Sequence, residues 1–252
     1  MEGTKLMDLS VNTKNNTLEV TKIEPIPKKS NRIPSGVLGL DELIEGGFIP
    51  KSVIMVSGET GTGKTIFATQ FIWNALCIGE NGVFISLQQT SDEIKNDVAL
   101  FGRDFRRAED LGQCRIVYIE PQDIRKIVPT IIKNVKDIKA KRLVIDSITL
   151  ISEYSENALH VRENLAHLFN QLKTLGVTTL VTSEVEEGSH LLSRHGIEEF
   201  LVDAVIVLKV GIDVVGGKPR SLLIKKMRRT NHDLNTHPFE ITDRGIRLIK
   251  PS

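Results

Sequence analysis

The sequence predicts an α/β fold: a mainly parallel central sheet flanked by helices, with an antiparallel extension toward the C-terminus. Three observations lead there. Gly58-Glu59-Thr60-Gly61-Thr62-Gly63-Lys64-Thr65 fits the phosphate-loop pattern G-x-x-x-x-G-K-[ST] at every fixed position. Strand-like apolar runs and helix-like periodic runs then alternate, as they do in a parallel sheet covered by helices. After Ile197 the strand-like runs follow one another across turn signals without helices between them, the pattern of antiparallel neighbours.

Residues 52–56 form a β-branched run of strand length. Beyond the loop, Ile66, Phe67, Phe71, Ile72 and Ala75 recur at helical spacing, so strand, loop and helix succeed one another. The alternation continues with a strand at 83–87, a helix at 92–101, a strand at 115–119 and a helix at 124–138. Residues 143–147, Leu-Val-Ile-Asp-Ser, read as an apolar strand ending in the carboxylate of Asp146. The helix expected over 158–175 carries Leu159, Leu165, Leu168, Phe169 and Leu172 as its core stripe and stops at Gly176. A buried strand at 177–181 leads into Thr182-Ser183-Glu184, polar residues at the strand end where such sheets bind ligands. The antiparallel strands are expected at 203–210, 221–226, 239–242 and 246–249, separated by Gly216-Gly217 and Asp243-Arg244-Gly245.

This order puts a phosphate site at the loop. Its glycines let backbone N–H groups converge on phosphate oxygens, and the start of the following helix adds its positive dipole end. Glu59, Thr60, Gly61, Thr62, Gly63, Lys64, Thr65 and Ile66 form the expected cradle, with Lys64 neutralising the β and γ phosphates of a purine nucleotide. Thr65 offers a hydroxyl to Mg²⁺, an ion that prefers oxygen ligands, and Asp146 is the second expected metal partner.

Composition bounds the rest. The 252 residues, 40% hydrophobic, are enough for one sizeable core. One domain over residues 32–252 is expected, preceded by an arm at 1–31 whose Pro25, Pro27, Lys28 and Lys29 read as extended or flexible chain, available to dock on a protein partner. With 33 basic and 32 acidic residues there is no global field to hold a polyanion, so nucleic acid would need a local basic patch. The two cysteines, Cys77 and Cys114, are read as buried small apolar residues in a reducing compartment. The start of the chain lacks an apolar signal run, and the stretch 200–210 falls short of the roughly 20 residues needed to cross a bilayer, so a soluble cytoplasmic protein is expected. His160 and His167, seven apart on one helix, read as packing or solvent positions rather than metal ligands. Arg103, Arg106 and Arg107, and the acidic Glu184, Glu186 and Glu187, read as solvated surface, with Glu184 near enough to the strand end to sense a γ phosphate.

The motifs together resemble a single, archaeal-type ATPase domain of the KaiC family, within the RecA/RadA class of P-loop NTPases. The resemblance runs from about Ile33 to Ile249. It rests on Ile33-Pro34-Ser35-Gly36-Val37-Leu38-Gly39-Leu40-Asp41 with Gly46-Gly47, on Gly196-Ile197-Glu198-Glu199-Phe200, and on Pro238-Phe239-Glu240-Ile241-Thr242-Asp243-Arg244-Gly245-Ile246. It implies a RecA-like fold, ATP with Mg²⁺, and a homo-oligomeric ring, usually a hexamer, with ATP at each subunit boundary. It further implies that Lys226-Met227-Arg228-Arg229-Thr230-Asn231-His232 reaches the neighbour's nucleotide, Lys226 and Arg228 near phosphate, Thr230 and His232 nearer base and sugar. A cation supplied across a boundary stabilises charge on a transferring phosphoryl group.

One position departs from the family. Where it carries a phenylalanine and two glutamates, one acting on the attacking water, this chain reads Leu87-Gln88-Gln89. An amide orients water without accepting its proton, and general-base catalysis contributes about 10²- to 10⁴-fold, so slow hydrolysis is expected. Glu120, Glu153 and Glu184 are the candidate replacements. Two alternatives stay open: a DNA-binding recombination accessory protein, for which residues 188–195 offer only Arg194 as a firm cation, and a non-hydrolysing scaffold that uses ATP to assemble.

Overall fold

A computed structural model describes residues 11–12, 19–20, 31–153, 157–211 and 219–249. The chain divides into two units, Met1–Asn31 and Arg32–Ser252. Within the first, β1 (Val11–Asn12) pairs antiparallel with β2 (Glu19–Val20). The Pro25 to Lys29 stretch and the Gly216-Gly217 turn lie outside the described residues.

The second unit is built on one nine-stranded sheet. Its parallel part comprises β3 (Val53–Gly58), β4 (Gly82–Ser86), β5 (Cys114–Tyr118), β6 (Arg142–Asp146), β7 (Thr178–Glu184) and β8 (Ala204–Val210). The extension comprises β9 (Arg220–Met227), β10 (Thr236–Thr242) and β11 (Gly245–Leu248), each antiparallel to its neighbour. The strand order is β11-β10-β9-β8-β3-β7-β6-β4-β5, so the architecture is the expected one.

Both faces of the parallel part are covered, which is why its inner strands are buried along nearly their whole length, while the edge strand β5 alternates. The pleat still sorts them: Ile54 and Val56 point into one core, Val53 and Met55 into the other. The first core is closed by α1 (Leu40–Leu43), α2 (Lys64–Cys77), α3 (Ser91–Ala99) and α4 (Phe105–Asp110). The second is closed by α5 (Ile124–Asp137), α6 (Ile148–Glu153) and α7 (Ala158–Leu175), with α8 (Glu198–Leu201) beside α7. Thr90 and Glu93 form a reciprocal capping box at the start of α3, and Gly176, left-handed at φ 76°, ends α7 as expected.

The segment that opens the domain is tied down by its own polar groups. Ile33 and Phe48 exchange two backbone hydrogen bonds of 2.8 Å, and the Ser35 N–H donates to Asp41 Oδ1 at 2.9 Å. The closing motif docks on α2 through Gln70, whose Nε2 donates to the carbonyls of Gly36 and Ile246 while its Oε1 accepts from the Ile246 N–H.

Three side chains differ from expectation. Leu159 is 61% exposed, because six residues separate it from Leu165 and about 100° per residue carries it off the buried stripe, which Val161 completes instead. Cys77 is exposed at the end of α2, two residues beyond buried Ala75 and on the opposite side of the helix, whereas Cys114 is buried and its burial pushes the thiol up. Arg103 is not a solvated cation: it is 4% exposed, its Nη2 donates to the Arg244 carbonyl at 2.6 Å, and burial pulls the guanidinium down to about 10. Among the described residues no helix is long and apolar enough to cross a membrane, and no cluster of His, Cys, Asp and Glu suits a metal; His160 and His167 are both exposed.

Candidate functional site: a phosphate loop at the carboxyl edge of the sheet

β3 delivers the chain into the phosphate loop at Gly58, which lies in register with Glu184 of β7 on one side and Leu208 of β8 on the other. A Cβ at Gly58 would stand 2.5 Å from the Leu208 carbonyl oxygen, so the loop departs where a side chain would not fit. Gly63, left-handed at φ 102°, turns the loop into α2 and caps it without a side-chain hydrogen bond. The first N–H groups of α2 are therefore left for an anion.

The cleft above this loop has a volume of about 530 Å³, and Thr60, Gly61, Gly63, Lys64, Thr65 and Ile66 form its floor. Glu59 and Thr62 brace the loop: the Thr62 hydroxyl donates to the Glu59 carbonyl at 2.8 Å, and Glu59 Oε1 accepts from the Gly188 N–H at 3.0 Å. Lys64 Nζ donates to the carbonyls of Gly58 and Glu59, both at 2.9 Å. Burial holds the Lys64 ammonium below its ordinary value, opposed by the carboxylates of Glu184 and Asp146.

Asp146 ends β6, one strand beyond β7, and is 5% exposed. Its Oδ2 accepts from the Thr65 hydroxyl at 2.8 Å and its Oδ1 from the Thr182 hydroxyl. Burial raises the Asp146 carboxyl, with hydrogen bonds from Thr182 and Thr65 and the charge of Lys64 acting the other way. A threonine hydroxyl and a carboxylate 2.8 Å apart make an oxygen set that fits Mg²⁺. Thr65 and Asp146 would hold that ion, with phosphate and water completing its shell.

The two glutamines part company. Gln88 Nε2 donates to Glu184 Oε1 at 2.9 Å, bridging over the end of β6. Gln89 Nε2 turns instead to Asp97 Oδ2 of α3 at 3.1 Å. Both glutamines line the cleft.

Lys226, Met227, Arg228, Thr230 and His232 stand at the other end of the sheet. Met227 pairs with Ala204, and Ala204 with Ile54 at the start of β3. Four residue steps along β3 at about 3.3 Å, and two strand spacings of about 4.8 Å, separate this segment from Gly58 of the same protomer. Lys226 Nζ donates to the carbonyls of Glu199 and Val202 at 2.8 and 2.7 Å, while the exposed Arg228 pairs with Asp203 at 3.5 Å. Thr230 Oγ1 accepts from Arg32 Nη1 at 2.8 Å, and His232 Nδ1 lies 3.3 Å from the Thr230 carbonyl. Met227 is 7% exposed and its side chain belongs to the core.

Comparison with known proteins gives this arrangement its family. The profile described as "ATPase: KaiC" matches residues 33–252. The chain belongs to the KaiC ATPase family. A UPF0273 protein of Thermotoga maritima is 35% identical over 239 residues, covering 88% of this chain and 96% of the relative, and one of Pyrococcus horikoshii is 34% identical over 235 residues, covering 86% and 93%. The circadian clock oscillator protein KaiC of Parathermosynechococcus lividus is 32% identical over 93% of this chain, which spans 44% of that longer protein. The crystal structure of a KaiC-like protein from Pyrococcus horikoshii superposes with a TM-score of 0.79 at 42% identity, covering 88% of this chain and all of that one, consistent with a RecA-like fold.

Against this KaiC-type frame, the sequence reading passed over Arg220 and Thr149 and gave Thr182 no partner. Arg220 lines the cleft from the start of β9, a place set by its pairing with Val210, and its Nε is buried without a partner. Thr182 fixes the second oxygen of Asp146, and Thr149 accepts the Glu184 N–H at 2.9 Å. Thr182 sat in a polar strand end already singled out, but its partner follows from the β6–β7 pairing alone.

Proposed function

We propose that the chain is an ATP-binding, ring-forming regulatory ATPase that hydrolyses Mg-ATP slowly to ADP and phosphate. Membership of the KaiC family supports ATP binding and Mg²⁺ dependence. The observation that supports the ring is the placement of the phosphate loop and of residues 226–232, the segment proposed to meet a nucleotide, at opposite ends of one sheet. The phosphate loop lies at the carboxyl end of β3, whereas residues 226–232 lie beside its start, at the opposite end of the sheet. Stacked head to tail, each protomer offers its loop to one neighbour and this segment to the other, the heterologous contact that closes into rings. A hexamer with ATP at each boundary is the assembly this family supports.

Within the site Lys64 binds the phosphates, Thr65 and Asp146 hold the metal, and Arg228, with Lys226, Thr230 and His232 beside it, meets the neighbour's nucleotide. Mg²⁺ when bound neutralises charge on the phosphates. The amides Gln88 and Gln89 cannot accept a proton as the family's glutamates do, which keeps turnover slow. Their engagement with Glu184 and Asp97 also favours a second reading, a scaffold that binds ATP to assemble without hydrolysing it. Arg194 is paired with Glu186 at 2.7 Å, which weighs against the DNA-binding alternative. Protein mass measured by light scattering with and without Mg-ATP, alongside phosphate release from the same samples, tests these readings. A ring with slow release supports the regulatory ATPase, a ring without release the scaffold, and a persistent monomer refutes both.

A further inference from the structure

We propose that Glu184 is the group that takes the proton from the attacking water in this chain, and that Gln88 is the residue that positions it. The inference rests on the hydrolysis proposed above and assigns its missing base.

The carboxylates around the cleft eliminate one another. Asp146 has both oxygens occupied by the hydroxyls of Thr65 and Thr182. Asp97 lies on α3 and receives Gln89. Glu59 is turned to the Gly188 N–H. Glu120 is exposed beyond β5, at the far edge of the sheet from the phosphate loop, and the Glu153 side chain lies outside the described residues. Glu184 remains. Its backbone is in register with Gly58, the first residue of the loop, and it sits on the strand between β3 and β6. Its negative charge is felt at Lys64, the phosphate-binding cation.

The geometry around Glu184 holds a carboxylate in one orientation and leaves an oxygen free. Thr149 anchors its N–H, Gln88 donates to Oε1 at 2.9 Å, and Oε2 carries no hydrogen bond among the described residues. An acceptor fixed on one side and open on the other is what a base for a bound water requires. Glu184 removes one proton from the water as its oxygen bonds to the γ phosphorus. The bond from that phosphorus to the bridging oxygen breaks, and ADP departs with the electron pair. Gln88 keeps the accepting oxygen aimed, acting through Glu184 rather than on the substrate.

The test uses the full chain, measuring single-turnover phosphate release from Mg-ATP, steady-state kcat and KM, and ATP retention. Glu184→Gln preserves size and still accepts from Gln88, so its expected phenotype is an unchanged ATP retention with release slowed about 10²- to 10⁴-fold. Gln88→Ala is expected to lower kcat about 10- to 100-fold with KM unchanged, the split that mispositioning of a reacting group produces. Release by Glu184→Gln at the wild-type rate overturns the assignment, as does loss of ATP retention in that variant, which would make Glu184 a binding residue. An unchanged kcat in Gln88→Ala, with or without a raised KM, overturns the positioning role. Wild-type protein that retains ATP and never releases phosphate instead refutes the hydrolysis reading on which the inference stands.

Discussion

Arg228→Ala separates a cation supplied across a subunit boundary from one that serves its own protomer. Arg228 follows Met227, whose partner Ala204 pairs with Ile54, four residues before Gly58. At about 3.3 Å per residue that is about 13 Å along the sheet, with about 10 Å more across two strand spacings. Arg228 is exposed and its pairing with Asp203 is long, so its removal costs the fold at most about 1 kcal/mol. An arginine that stabilises charge on a transferring phosphoryl group is worth about 10³- to 10⁵-fold in rate, so turnover should fall at least about 10³-fold while dilute protomers keep their ATP affinity. Mixing supplies the decisive assay. In equal mixtures of Arg228→Ala and Lys64→Ala proteins, about one boundary in four joins an intact loop to an intact arginine, so phosphate release should recover to roughly a quarter of wild type if the contact is heterologous. Mixtures as inactive as either variant alone, or an Arg228→Ala protomer that has lost ATP binding to the same extent as Lys64→Ala, would refute the reasoning.

Three other outcomes are expected. Lys64→Ala should abolish ATP retention in equilibrium binding, because it removes the cation at the loop mouth while leaving a neutral side chain that demands no partner. Arg142→Met should lower the melting temperature by roughly 10 °C. It strips part-exposed Glu80 and the carbonyls of Pro34 and Phe71 of a fully buried donor, and each buried polar group left unsatisfied costs about 1–3 kcal/mol. Asp203→Asn should flatten the acid limb of stability. Burial opposes ionisation of Asp203, but the Lys173 ammonium, the Val53 N–H and Arg228 outweigh it and hold the carboxyl below its ordinary 3.8. Its contribution is thus present above 3.8 and lost as pH falls through the depressed folded-state value, a decline that thermal melts of wild type should show and Asp203→Asn should lack.

The phosphate-loop pattern and the placement of Asp146 were legible because each is written in local chemistry: glycines that permit a nest, a helix start behind them, a carboxylate at a strand end. The element order was legible for a similar reason, since apolar runs without alternation mark strands buried on both faces. Misreadings fell where phase or distance decided. Leu159 has the right residue type on the wrong side of its helix, and Arg103 is charged yet buried because a carbonyl 141 positions away receives it.

By itself the sequence determined the fold class, the phosphate loop with its metal-fitting pair, and the departure at Gln88 and Gln89, all properties of residue type and short spacing. What tertiary structure decided was the company those residues keep. Strand order set Glu184 between the loop and Asp146 and brought Gln88 to it from 96 residues away, while pairing of β9 sent Arg220 to the loop and Arg228 to the opposite end. Those meetings depend on which strands lie side by side and in which register, and that is settled by burial of both sheet faces together rather than by any one segment.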